Sequence, residues 1–100
     1  MSLTLLYYSS FERSLKAFSP DQKQIIQRIL IALEVYYASN CRLTEAQKLE
    51  PRFFYKHLRK PYYEAGIDSR MRVIIERTKS ECFLVLAGNH DEVKRFLASQ

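Results

Sequence analysis

The chain has 100 residues, 47% of them hydrophobic, and a formal charge of +5. That length holds one domain over residues 1–100, with one modest core and no room for a second, and two glycines and three prolines argue against disorder or a long linker. The positive excess favours a polyanionic partner, either nucleic acid, the ribosome or an acidic protein, with ordinary solubility charge as the lesser alternative.

Leu3–Tyr8, rich in aliphatics and tyrosine, predicts a first strand. It is too short, and too poor in basic and small residues, to be a signal peptide. Ser9 and Glu12 fit a capping box for a short helix over about Phe11 to Phe18, with Phe11, Leu15 and Phe18 on one face. Ser19-Pro20-Asp21-Gln22 is a stronger start, combining a capping serine, a proline at the first helical position and a glutamine that closes the box. From there Ile25, Ile26, Ile29, Leu30, Leu33 and Tyr36 recur at helical spacing, which predicts a helix to about Ala38. Gln27, Arg28 and Glu34 interrupt its apolar run and exclude a membrane span. The two helices form a hairpin.

Thr44–Gln47 reads either as a helical turn or as loop, and Phe53–Leu58 either as a strand or as part of a long loop. Tyr62–Ile67, Arg70–Arg77 and Glu81–Gly88 read as three strands of an antiparallel meander, joined by tight turns at Asp68-Ser69 and Thr78-Lys79-Ser80. Asp91–Ala98 predicts a terminal helix with Val93, Phe96 and Leu97 on its apolar face. The order is β-α-α-β-β-β-α, an α+β fold whose helical hairpin packs on one face of a mainly antiparallel sheet. The other face is then expected to be open. Cys41 and Cys82 are too few for a disulfide framework or a zinc site, so both are expected as reduced thiols, with Cys82 buried.

Strand alternation over Arg70–Arg77 points Met71, Val73 and Ile75 towards the helices and Arg70, Arg72, Ile74 and Glu76 to the open face. Two arginine forks on one face form a phosphate clamp; the alternative is a solvated face with Arg72 paired to Glu64 across the strands. Imidazole exchanges protons near neutral pH, so His90, at the end of the apolar run Cys82–Ala87, is a candidate acid or base. The alternative is a surface histidine at a helix start capped by Asn89 or Asp91. Lys56, His57, Arg59 and Lys60, among Phe53, Phe54, Tyr55, Tyr62 and Tyr63, combine charge with stacking surface for RNA, although such aromatics are more often core. Metal-ligand spacing, a glycine-rich phosphate loop and a nucleophile elbow are not found.

Several short stretches, in joint order, resemble the RelE/ParE toxin superfamily. They are F-x-x-x-L-K at Phe11–Lys16, Lys48-Leu49 before the sheet, Y-E-x-x-I at Tyr63–Ile67, M-R-V-I-I at Met71–Ile75 and L-x-G-N-H-D-E-V-x-R at Leu86–Arg95. Together with the element order they span nearly the whole chain. The resemblance implies the toxin of a type II toxin–antitoxin pair, a cytoplasmic protein held by its cognate antitoxin in a heteromeric complex. The RelE-like branch cuts mRNA in the ribosomal A site, whereas the ParE-like branch poisons DNA gyrase without catalysis.

The expected function is therefore a ribosome-dependent mRNA endonuclease with mRNA and ribosome as partners and no metal or cofactor. The alternatives are a gyrase inhibitor and an inactive member that only binds its antitoxin. Arg72 matches the strand arginine that contacts the scissile phosphate in nuclease members. His90 matches a position where some members carry histidine and others arginine. The expected site is His90 as general acid or base, Arg72 with Arg70 on the phosphate, and Glu64 or Lys94 as the remaining partner. Lys48, Lys56, His57, Arg59 and Lys60 are expected to contact RNA. The sequence departs from RelE where second-strand basic residues fall on Tyr63 and Ala65, where an arginine is replaced by Gly66, and where the terminal tyrosine is Lys94.

Overall fold

The longest helix begins where the sequence signals it. Ser19 accepts from the Gln22 backbone and the Gln22 side chain accepts from Ser19 N–H, so the capping box is complete with Pro20 at the first helical position. In this computed structural model, which describes residues 4–100, the helix runs Pro20–Ala38 (α2). It stops at Asn40, whose φ of 64° is left-handed, a conformation asparagine tolerates better than most residues. The preceding elements are β1 (Thr4–Tyr7) and α1 (Ser9–Lys16). Leu3, the predicted strand start, lies outside the described residues.

The Ser9–Glu12 capping box does not form. Tyr8 is the N-cap, without a side-chain cap. Two other serines of α1 bond to the sheet: Ser10 Oγ donates to Val85 O at 2.6 Å and Ser14 Oγ accepts from Ala87 N at 3.2 Å.

The two segments with open readings form a helix, α3 (Leu43–Leu49), and a strand, β2 (Phe54–Arg59). Then follow β3 (Tyr62–Gly66), β4 (Arg72–Arg77), β5 (Glu81–Gly88) and α4 (His90–Ala98). The order thus lengthens to β-α-α-α-β-β-β-β-α. The five strands make one sheet, β1-β5-β4-β3-β2, antiparallel except for the β1–β5 pair.

The main core lies between α1, α2 and the sheet. Ile26, Ile29 and Leu33 of α2 meet Val73, Ile75 and Leu84, all 2% exposed or less. Cys82 is buried in the same layer, and burial raises its thiol pKa to about 11. The opposite face is not open, as alternation alone suggested. Val93 of α4 packs on Ile74 and Val85, with Phe96, Leu97 and Leu58 around them. Ile74, assigned to the open face, is fully buried. What α4 leaves uncovered on that face is the end carrying Phe54, Lys56 and Arg72, with Glu64 buried beneath them. Among the described residues no helix is long and apolar enough to cross a membrane.

Candidate active site

β4 begins at Arg72, not at Arg70. Arg72 stands in register between Gly66 of β3 and Gly88 of β5. Neither neighbour has a side chain, so other groups cover them. The Phe54 ring lies over Gly66, where an added Cβ would stand 2.7 Å from it. Glu92 of α4 lies over Gly88, 2.9 Å from the equivalent point. The Arg72 guanidinium rests 4.9 Å from the centre of the Phe54 ring. The space above Gly66 thus holds the aromatic floor of Arg72.

This coupling makes a prediction. Gly66→Ala must displace Phe54, and overpacking of this kind costs about 1–3 kcal/mol. The cost should shrink when Phe54 is also replaced by leucine, as measured by denaturant midpoints of the four variants in a cycle. Equal costs in both backgrounds would dissociate Phe54 from Gly66.

Glu64, one row along on the same face, has a side chain only 3% exposed. Its Oε1 lies 3.3 Å from Arg72 Nη1 and 3.2 Å from Lys56 Nζ. The cross-strand pairing of Arg72 with Glu64 is therefore present. Glu64 Oε2 and Arg72 Nε are buried without a hydrogen-bond partner among the described residues. A buried ion pair left under-satisfied adds little stability. What it does is hold the Arg72 fork at one place on the sheet.

Arg70 does not extend this cluster. It sits in the β3–β4 turn, where Asp68 Oδ2 accepts from its Nε at 3.1 Å and its Nη2 at 3.0 Å. Burial would raise the Asp68 pKa, but the Arg70 and Met71 N–H groups and the Arg70 side chain outweigh it and lower the value. The two-arginine clamp predicted from strand alternation is therefore corrected: the Asp68 side chain holds the turn through Arg70 and Met71, so β4 starts only at Arg72 and Arg70 is exposed in the turn.

Arg70 instead shares a cleft of about 690 Å³ with His90, lined also by Phe18, Ile25 and Met71. Asp21, Asp91 and Glu92 join this lining, so the cleft is not uniformly positive. His90 is the exposed first residue of α4, capped by Asn89, whose side chain accepts from Glu92 N at 2.9 Å. Among the described residues no side chain hydrogen-bonds the His90 ring. Arg72 is not part of the lining of this cleft; what links the two is Gly88, the cross-strand partner of Arg72, two residues before His90 in the chain.

The basic run divides rather than acting together. Lys56 faces Glu64, while His57 points to the helix-packed side, 5.1 Å from the Tyr63 ring. Arg59 donates to Leu97 O at 2.6 Å and so ties down the end of α4. Lys60 is exposed in the β2–β3 turn, and Lys48 pairs with Glu45 on α3 at 2.9 Å. Lys94 is exposed on α4. A single footprint from Lys48, Lys56, His57, Arg59 and Lys60 is thus not formed. Sequence reasoning missed Phe54 as the floor of Arg72; its signal was an aromatic aligned opposite a strand glycine, readable only once the β2–β3 register is known.

No family model matches the sequence, and no curated protein does. Solved structures do. The toxin–antitoxin complex DinJ–YafQ of E. coli matches at a TM-score of 0.66 and 13% identity, over 93% of this chain and 98% of that one. A copper-bound mutant toxin from Helicobacter pylori matches at 0.60 and 20%, over 91% and 98%. The RelB–RelE antitoxin–toxin complex of Methanococcus jannaschii matches at 0.58 and 14%, over 91% and 96%. The chain has the RelE-like toxin fold. In this fold the cleft at the start of α4 and the Arg72 row lie at one end of the sheet, where β4 begins and β5 stops.

Proposed function

We propose that this chain is the toxin of a type II toxin–antitoxin pair and acts as a ribosome-dependent mRNA endonuclease. The observation that carries the proposal is the arginine slot. Arg72 is pinned by Glu64 and Phe54 between two glycines, at the end of the sheet where β5 leads through Gly88 and Asn89 to an exposed histidine. A preorganised guanidinium beside a proton-exchanging group suits phosphate-ester cleavage.

In the proposed reaction a ribose 2′-oxygen attacks the adjacent phosphorus and the 5′-oxygen leaves. His90 transfers a proton, as base to the 2′-OH or as acid to the leaving oxygen. Arg72 neutralises charge on the phosphorane, and Arg70 at the rim of the cleft meets a neighbouring phosphate. Glu64, sealed beneath Arg72 and Lys56, positions the arginine and is too buried to take a proton from substrate. Lys94 is left as the exposed candidate for the second proton transfer, and Lys56 as a contact to the RNA backbone.

The partner reading is an antitoxin. A mainly apolar groove of about 210 Å³ between β1, α1 and α2 is lined by Tyr7, Phe11, Leu15 and Leu30 with Glu12 as its one charged residue, and Ile31 is exposed beside Leu30. A disordered acidic segment that folds on binding would bury this groove and offset the +5 charge. Co-purification with the product of a neighbouring gene tests it.

One observation favours the ParE-like reading: among the described residues nothing orients the His90 ring, as a gyrase-binding protein without acid–base chemistry would allow. Inducing the chain alone in a bacterium and following methionine and thymidine incorporation separates the two. The proposal expects protein synthesis to stop first; a first stop in replication sinks it.

A further inference from the structure

The second arginine that the fold partly buries lies on the other side of the sheet. Arg77 ends β4 on the face packed by α2. Among the described residues it has no carboxylate within ion-pair distance, unlike Arg72, Arg70 and Arg28. Its guanidinium stands 5.6 Å from the centre of the Tyr37 ring. Below it the aromatic layer is fixed. Tyr37 and Tyr55 share a hydrogen bond of 2.8 Å, and the Cys82 thiol donates to Tyr37 at 3.3 Å. Tyr55 stacks on Tyr63 at 5.3 Å, and His57 meets Tyr63 edge-on at 5.1 Å.

Arg77 and Tyr63 open into a shallow cleft of about 540 Å³ completed by Thr78 and Lys79, with no acidic residue in its lining. Thr78 Oγ1 accepts from Glu81 N at 3.1 Å, which fixes the turn that presents Lys79.

A partly desolvated guanidinium without a counter-charge is poised for an anion from outside. Arginine and lysine beside a partly exposed tyrosine, here already stacked on Tyr55, is the combination that binds a phosphate and stacks an unpaired base. An acidic peptide would use the charges but not the aromatic face. We propose that Arg77, Lys79, Tyr63 and His57 form a second RNA-contacting surface for an unpaired nucleotide, on the sheet face opposite Arg72. Arg77 and Lys79 hold the phosphate; Tyr63, buttressed by His57, receives the base. The surface is separate from the proposed cleavage site, and its binding is measurable without cleavage.

The test is fluorescence anisotropy with a labelled single-stranded RNA octamer, 2′-O-methylated so that it cannot be cut, over a series of salt concentrations. Lys79→Gln should lower the slope of log affinity against log salt by about 0.7, and Arg77→Gln with Lys79→Gln by about 1.4. Tyr63→Leu should weaken the octamer by roughly five- to 150-fold, and leave a duplex of equal length unaffected. Thermal melts accompany each variant; Lys79, exposed in a turn, keeps the test valid if Arg77→Gln fails to fold. Unchanged affinity and salt slope across the variants overturns the proposal. So does tight, Lys79-dependent binding of an oligoglutamate peptide by a protein that ignores the octamer, which would assign the surface to an acidic protein segment. Loss of octamer binding in these variants supports it even if the chain proves not to cut mRNA.

Discussion

Replacing His90 with alanine is expected to slow cleavage of ribosome-bound mRNA by roughly 10²–10⁴ and to leave the melting temperature unchanged. The first half follows from removing the group assigned to proton transfer. The second follows from its position: His90 is exposed at the first turn of α4, and the capping box that starts the helix is made by Asn89 and Glu92. Alanine at this position keeps helical geometry and takes no contact from the core. Single-turnover cleavage followed by primer extension, with circular dichroism melts alongside, reads both quantities. Full activity in a folded variant would remove His90 from the site and turn attention to Lys94 and Arg70.

Glu64→Leu should produce the largest loss of stability among the site variants. It leaves the Arg72 guanidinium, on a side chain 16% exposed, without its carboxylate. Breaking such a pair by removing one partner costs about 3–5 kcal/mol. For a domain of this size that lowers the melting temperature by at least about 12 °C. Lys56, with a side chain 59% exposed, returns to water and adds little to the loss. Replacing both members, Glu64→Leu with Arg72→Met, should recover most of the stability, because two apolar groups of similar volume need no counter-charge. It should not recover cleavage, since the phosphate-binding fork is gone. A double variant that stays as unstable as Glu64→Leu would show that the pair is not what the single change breaks. A double variant that cuts mRNA normally would exclude Arg72 from the reaction.

What the sequence disclosed followed from strong local signals. Ser19-Pro20 with Gln22 specified the start of α2 because every component of a helix N-terminus was present at once. The run Cys82–Gly88 announced β5 because a strand covered on both faces needs no alternation. α3 and β2 were ambiguous for lack of such signals: Thr44–Gln47 is too short to show a period, and Phe53–Leu58 mixes aromatics and cations without a clean one.

The Ser9 cap was misread because the helix starts one residue earlier, with Tyr8 in the N-cap position and Ser9 already its first residue. Arg70 was misplaced because Asp68 binds the backbone two residues on and keeps Arg70 in the turn, so alternation starts only at Arg72. The cover that α4 lays over the sheet was half legible. Val93, Phe96 and Leu97 were recognised as an apolar face, and Ile74 among the arginines was the surface waiting for it. The Arg72–Glu64 pair was legible as an alternative, whereas the Phe54 floor required the β2–β3 register, which no local rule supplies.

We propose that this chain cuts mRNA on the ribosome. Purified protein added to ribosomes stalled on a defined message, with the RNA mapped by primer extension, addresses it directly. The expected result is a cut within the A-site codon, a 2′,3′-cyclic phosphate on the upstream fragment, and no cut in the same message without ribosomes. Intact message on the ribosome, together with inhibition of DNA supercoiling by gyrase at the same protein concentration, would contradict it.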